Sequence, residues 1–316
     1  MFIPFGDVPS QAGALLKKKF ASQPLVPPSF AIDYDGSLWL LDLVKHRISH
    51  YGANGEFIGA TGGLEFSRFR PYAQDLAFVD GQLYVAEFTH NTLQTYVRTV
   101  SADGLGSRVR VESNGRPIFI SRLASPTTEL IGYASGASGV VGRPPTAGFH
   151  GYWVIDPDTG ASRGTKGIPL ADGSRLGTGG TLINNGRSLL VVHKTDTGLF
   201  ERTIHLVVRP SAQSNVRIPV VAGWQTSVAL PHGFATYAGF APSRLADDQR
   251  YHGAERWLLE YFDDGQPLVW EPLPESPLDG AYVWRYLTEG LDGHLYLMLA
   301  ERGGMRIYRR PGPPAS

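Results

Sequence analysis

From Pro27 the chain reads PPSFAIDYDGSLWLLDLVKHRISHYGANGEFIGA, in which short runs of alternating apolar and polar residues are broken at Asp35-Gly36, at a polar loop, and at Asn54-Gly55. A period of two sends successive side chains to opposite faces of a strand, and Asp-Gly and Asn-Gly provide the backbone that tight hairpin turns require. The stretch therefore predicts four consecutive antiparallel strands. The same grammar returns from Gln74 as QDLAFVDGQLYVAEFTHNTLQTYVRTVSADG, and from Tyr282 around Asp292-Gly293.

Between these ends the pattern degenerates but stays countable. RPIFISRLASPTTELIGYAS with HGYWVIDPDTGAS gives a third unit, the stretch turning at Asn185-Gly186 a fourth, and TSVALPHGFATYAGF with ERWLLEYFDDGQPLVWEPL a fifth. Six units repeating at roughly 45 to 60 residues, with no long amphipathic helix among them, predict an all-β chain: a six-bladed β-propeller with four antiparallel strands per blade. Residues 1–316 are read as a single domain, with blades starting near 29, 74, 116, 179, 224 and 282. The last unit ends at Arg310 after three strands. Its fourth is expected from the N-terminal segment, residues 1–28, and within it from the region around Lys19 to Leu25, so that closure removes an exposed edge.

Composition narrows the function classes. Hydrophobic residues make up 42% and charged residues 18%, enough to bury a large core. Lys plus Arg equals Asp plus Glu at 29 each, which lacks the electrostatic footprint of a nucleic-acid binder. The absence of cysteine excludes disulfides, thiolate metal sites and cysteine nucleophiles. No signal peptide is visible in Met1 to Ser10 and no apolar stretch is long enough to span a membrane, so the chain is expected to be soluble, its compartment left open.

The first unit resembles the NHL repeat, through Pro28 before the inner strand, Asp33 and Gly36 in the turn, Asp42, and Arg47-Ile48, with Lys45 where the family has asparagine. The second unit keeps the frame but carries Glu87, His90 and Thr92 at the aspartate, asparagine and arginine positions. The resemblance implies a six-bladed propeller, with Asp42 and Arg47 as packing residues. It names no activity, since this architecture hosts binding domains as well as lactonases, lyases and cyclising enzymes.

In a propeller, side chains from distant parts of the chain converge at the mouth of the central channel, where inner strands start. As catalytic candidates this chain offers Asp75, Glu87 and His90, a carboxylate being able to orient the imidazole as a base. As ligand-binding candidates it offers Tyr72, Gln74, Arg116, His193, Asp196, Trp224, Trp284 and Arg285. The arginines would act as anion-binding forks and the tryptophans as flat apolar walls. The opposing reading is that Arg116 and Arg285 pair with Asp75 and Glu87 and close the channel. No metal-ligand pattern recurs across the units, so no cofactor is expected, and a divalent cation such as Ca2+ has no supporting motif. No G-x-S-x-G marks a nucleophile, and Gly177-Thr178-Gly179-Gly180 precedes a strand instead of a phosphate-binding helix.

Two function classes follow. One is a recognition protein that presents the polar-aromatic mouth to a small molecule or a protein partner. The other is a small-metabolite enzyme of lactonase, lyase or cyclase type acting there. Degenerate repeats and the missing metal pattern favour recognition.

Overall fold

The computed structural model describes residues 1–16, 24–64, 72–89, 94–125, 127–135, 150–177, 188–195, 198–205, 217–221, 227–242, 255–264, 266–273, 278 and 285–310. It is an all-β propeller, with no helix among the described residues. Two compact units divide it, Met1–Thr165 with Ala281–Ser316, and Lys166–Gly280.

The first unit holds four blades. Ser29–Ile32, Leu38–Asp42, Arg47–Tyr51 and Phe57–Gly62 pair in sequence order as the first blade. Its opening hairpin turns at Gly36 (φ 78°) and its last at Gly55 (φ 87°), a backbone that glycine adopts without steric penalty. The second blade comprises Tyr72–Val79, Gln82–Thr89, Gln94–Ser101 and Val109–Arg110, with Gly104–Leu105 also pairing to its third strand. The third comprises Ile120–Leu123, Ile131–Ser135, His150–Ile155 and Ser162–Thr165. In the last blade, Leu287–Glu289, Leu295–Glu301 and Gly304–Arg309 are joined by Phe2–Pro4. The fourth strand thus comes from the first residues of the chain and not from the region around Lys19 to Leu25, where Leu25 makes only an isolated bridge to Leu15.

The second unit holds one complete blade, built from Arg217–Val221, Gly233–Pro242, Glu255–Phe262 and Pro267–Pro272, with Ser227–Leu230 also pairing to Gly233–Pro242. Its other sheet carries the long hairpin Ser188–Thr195 and Gly198–His205, and among the described residues its further strands are residue pairs, Ile168–Pro169 and Arg175–Leu176. Pro169 has no N–H to extend that ladder. Among the described residues five regular blades form where six were expected, and the expected start of a blade near 179 with its turn at Asn185-Gly186 lies outside the described residues.

Alternation explains why the second blade is apolar on both faces. Leu76 and Phe78 join Ala31, Trp39, Leu41 and Ile48 of the first blade in one buried cluster. The intervening Ala77 and Val79 join Ile120, Leu123 and Ile155 of the third blade in another. A strand with neighbours on both sides thus reads as a nearly continuous apolar run, as in LAFV. Trp39 lies in this inter-blade layer, stacked on His50 at 4.0 Å.

Asp42 and Arg47 pin the N-terminal loop to the first blade. Asp42 accepts from the Gly13 N–H at 2.8 Å and the Lys45 N–H at 3.1 Å, and Arg47 donates to the carbonyls of Pro9 and Gln11.

Candidate functional site

The innermost strands of the first unit meet around one carboxylate. Asp75 lies in Tyr72–Val79 and is fully buried. Arg285, 1% exposed, grips it with Nε to Oδ1 at 2.9 Å and Nη2 to Oδ2 at 2.6 Å. The remaining acceptor capacity of Asp75 is taken by Ser29 Oγ (2.6 Å) and by the backbone N–H groups of Leu76 (3.1 Å) and Leu123 (2.8 Å). Residues of the first, second, third and last blades therefore close on a single side chain.

Two reciprocal arginine contacts cross this hub. Arg285, which leads into the last blade, donates to the Leu123 carbonyl of the third blade at 2.6 Å. Arg122 of the third blade donates to the Leu287 carbonyl of the last blade at 3.3 Å. Arg122 is 8% exposed, and its Nη1 has no hydrogen-bond partner among the described residues. Burial, reinforced by the charge of Arg285, pulls the Arg122 guanidinium down to about 9, so it still carries its proton at neutral pH.

Local backbone irregularities aim these side chains. Pairing slips between Ala73 and Asp75, leaving Gln74 as the extra residue, and slips again between Ile120 and Arg122, leaving Ser121. Consecutive blades thus carry a β-bulge near the start of the innermost strand, and bulges of this kind re-aim side chains. Both amide atoms of Gln74 are buried without a partner among the described residues, as is the Tyr152 hydroxyl. Burial raises the Tyr152 phenol well above its ordinary value, which keeps it neutral.

Glu87 lies one strand outward, opposite Ala73, and is also fully buried. It is held by Arg108 at 2.6 Å and Arg98 at 3.5 Å, both within the second blade or the segment leading to its last strand. The pairing of buried carboxylates with arginines is therefore present, but only Arg285 among the expected partners takes part. Arg116 is exposed on a separate hairpin, Glu112–Ser113 with Arg116–Pro117, which bridges to Ala161 beside the outermost strand of the third blade. The blade expected to start near 116 starts at Ile120.

Of the other sequence-predicted site residues, Tyr72 lies in the innermost strand of the second blade and His193 in the Ser188–Thr195 strand of the second unit. His90, Asp196, Trp224 and Trp284 lie outside the described residues. Gln74, Asp75 and Arg285 belong to the hub. Arg122 and Tyr152 are the side chains that sequence reasoning missed. The available signal was a lone arginine inside the apolar run Ile118–Leu123, where a charge is retained only with a partner.

Away from this hub a concavity of about 240 Å³ lies between the turns of the first and last blades, lined by Met1, Asp35, Gly36, Asp292, Tyr296 and Arg309 among others. It gathers none of the predicted site residues. Tyr296 donates to Asp292 at 2.6 Å there, and the nearby Glu289 carboxyl is pushed up to about 8 by burial and by the charge of Asp292. Among the described residues no group of three or more acidic or histidine side chains is arranged to hold a metal ion.

Comparison with solved structures places the architecture. A member of the DUF4221 family from Bacteroides vulgatus superposes with a TM-score of 0.53 at 9% identity, covering 98% of this chain and 97% of that one. The chain is a β-propeller. A gluconolactonase from Xanthomonas campestris aligns over 98% of both chains with a TM-score of 0.49 and 12% identity. The PQQ-bound aldose sugar dehydrogenase of Streptomyces coelicolor covers 90% of this chain and 93% of its own, with a TM-score of 0.46 and 13% identity. At these identities the likeness concerns the fold. No family model and no curated protein matches the sequence. No helix among the described residues is long and apolar enough to cross a membrane.

Proposed function

We propose that this propeller is a binding protein that takes a small polar molecule over the hub at the starts of its innermost strands. The observation that carries the reading is the set of unpartnered polar groups there: both amide atoms of Gln74, Nη1 of Arg122 and the hydroxyl of Tyr152, from two adjacent blades. Buried polar groups without partners are costly, and their grouping beside one charged centre argues for a polar ligand that satisfies them.

Binding is favoured over acid–base turnover by the state of the two candidate carboxylates. Asp75 accepts five hydrogen bonds from protein donors, which leaves no lone pair for a substrate proton. Glu87 Oε2 accepts from Arg108 at 2.6 Å and its Oε1 is ion-paired with Arg98 at 3.5 Å without a hydrogen bond. The test is a thermal-shift and calorimetric screen of small polar metabolites against the full chain and its Gln74→Leu variant. A saturable shift with the wild type that disappears in a Gln74→Leu protein of comparable melting temperature supports the reading. Shifts that are identical in both proteins, or a screen without any saturable binder, overturn it.

A further inference from the structure

The charge count at the hub does not close. Arg285 and Arg122 bring two positive charges, and among the described residues Asp75 is the carboxylate whose charge acts on Arg122. Glu87 is engaged by Arg98 and Arg108. Tyr152 is neutral, because burial holds its phenol protonated. Asp75 cannot serve both arginines, since its oxygens are occupied by Arg285, Ser29 and two backbone N–H groups. Arg122 is left with a long contact to a neutral carbonyl at 3.3 Å and an empty Nη1.

A guanidinium with 8% exposure that shares its nearest carboxylate, Asp75, with Arg285 and has no ion pair of its own among the described residues is an expensive arrangement, and a methionine or leucine of similar volume would pack there without that penalty. The depressed proton affinity of Arg122 expresses the same imbalance from the proton's side. An arginine fork with a free N–H matches the two oxygens of a carboxylate or of a phosphate. The Tyr152 hydroxyl, close enough for its charge state to act on Arg122, offers a further donor.

Resting on the binding reading above and narrowing its ligand class, we infer that the hub receives a small monoanion through an oxyanion group, carboxylate or phosphate, with Arg122 as its counter-ion. Asp75 and Arg285 neutralise each other and act as the frame that positions Arg122.

Thermal unfolding and calorimetric titration of the full chain in sodium chloride, sodium acetate and sodium phosphate, at equal ionic strength, test this. The wild type is expected to show a saturable rise in melting temperature with at least one oxyanion and none with chloride. Acetate alone points to a carboxylate ligand and phosphate alone to a phosphoryl group. Arg122→Met is expected to lose about tenfold or more in affinity while melting no lower than the wild type in chloride. If Arg122→Met does not fold, Arg122→Lys, which keeps the charge and loses the fork, is expected to bind about tenfold more weakly. Absence of a saturable effect from either oxyanion, or unchanged affinity in the variant that folds, overturns the inference. A neutral metabolite whose binding is lost in Gln74→Leu, with neither oxyanion bound, overturns the anion and leaves the binding site standing. If nothing binds at all, both fall.

Discussion

Asp75 and Glu87 sit on paired strands of one blade, both sealed from solvent and both held by arginine, yet they do different work. The partner of Asp75 lies 210 residues away and is itself 1% exposed. The partners of Glu87 lie within 21 residues, with side chains 15% and 34% exposed. One pair joins blades that share no hydrogen-bonded strand. The other fastens a blade to its own outer edge. The difference teaches that burial of an acid says little about its role until the reach and solvation of its partner are known.

Removing each acid sharpens the contrast. Asp75→Ala leaves Arg285 and Arg122 buried side by side without the carboxylate between them, and it is expected to destabilise the fold by about 3–5 kcal/mol, read by chemical denaturation. A loss below 1 kcal/mol would mean that the hub is not what holds the four blades together. Glu87→Gln should cost less, about 1–2 kcal/mol, because Arg98 and Arg108 can turn to water when the charge is gone. An equal loss in the two variants would erase the distinction drawn here.

Glu289 supplies a third case, a half-buried acid with no ion pair among the described residues, whose carboxyl is raised from 4.5 to about 8. The folded state holds a proton that the unfolded chain releases. The resulting stabilisation is complete below the unfolded value and is lost as pH climbs through the folded one. Unfolding free energy should therefore fall between about pH 5 and pH 8 more steeply in the wild type than in Glu289→Gln. Parallel pH profiles for the two proteins would refute this. The smallest effect is expected from Arg116→Ala, within about 0.5 kcal/mol of the wild type, since Arg116 is exposed on its hairpin. A larger loss would indicate that Arg116 supports the fold in addition to Arg98 and Arg108, which hold Glu87.

What the sequence made legible follows from which interactions are local. Asp35-Gly36, Asn54-Gly55 and Asp292-Gly293 announce their turns because the glycine takes a left-handed backbone at each, and alternation between such turns is enough to locate strands. Asp42 and Arg47 were readable as packing residues from their place in the repeat. The fourth unit is legible only in part: its alternating run forms the long hairpin Ser188–Thr195 with Gly198–His205, whereas its expected start near 179 and its turn at Asn185-Gly186 lie outside the described residues. Arg116 misled because it opens an apolar run but turns back in a hairpin of its own before the blade begins. Arg122 has one local mark, its place in the apolar run Ile118–Leu123, which tells of a partner without naming it. Its significance arises from Asp75, Arg285 and Leu287, which the fold alone brings near.

The strand Phe2–Pro4 has a consequence in time. It pairs Phe2 with Arg306, Ile3 with Met305 and Pro4 with Gly304, while the Met1 amino group donates to the Ile307 carbonyl at 2.8 Å. Residues 2–4 therefore wait for residues 304–306 to be synthesised, an interval on the order of tens of seconds at ordinary translation rates. Throughout that interval the edge they will occupy does not exist, and the apolar Phe2 and Ile3 have no native neighbour. The nascent chain must carry an unpaired strand past every other blade before the register is set, and this delay, more than the final stability, is where such a molecule is exposed to mispairing and aggregation.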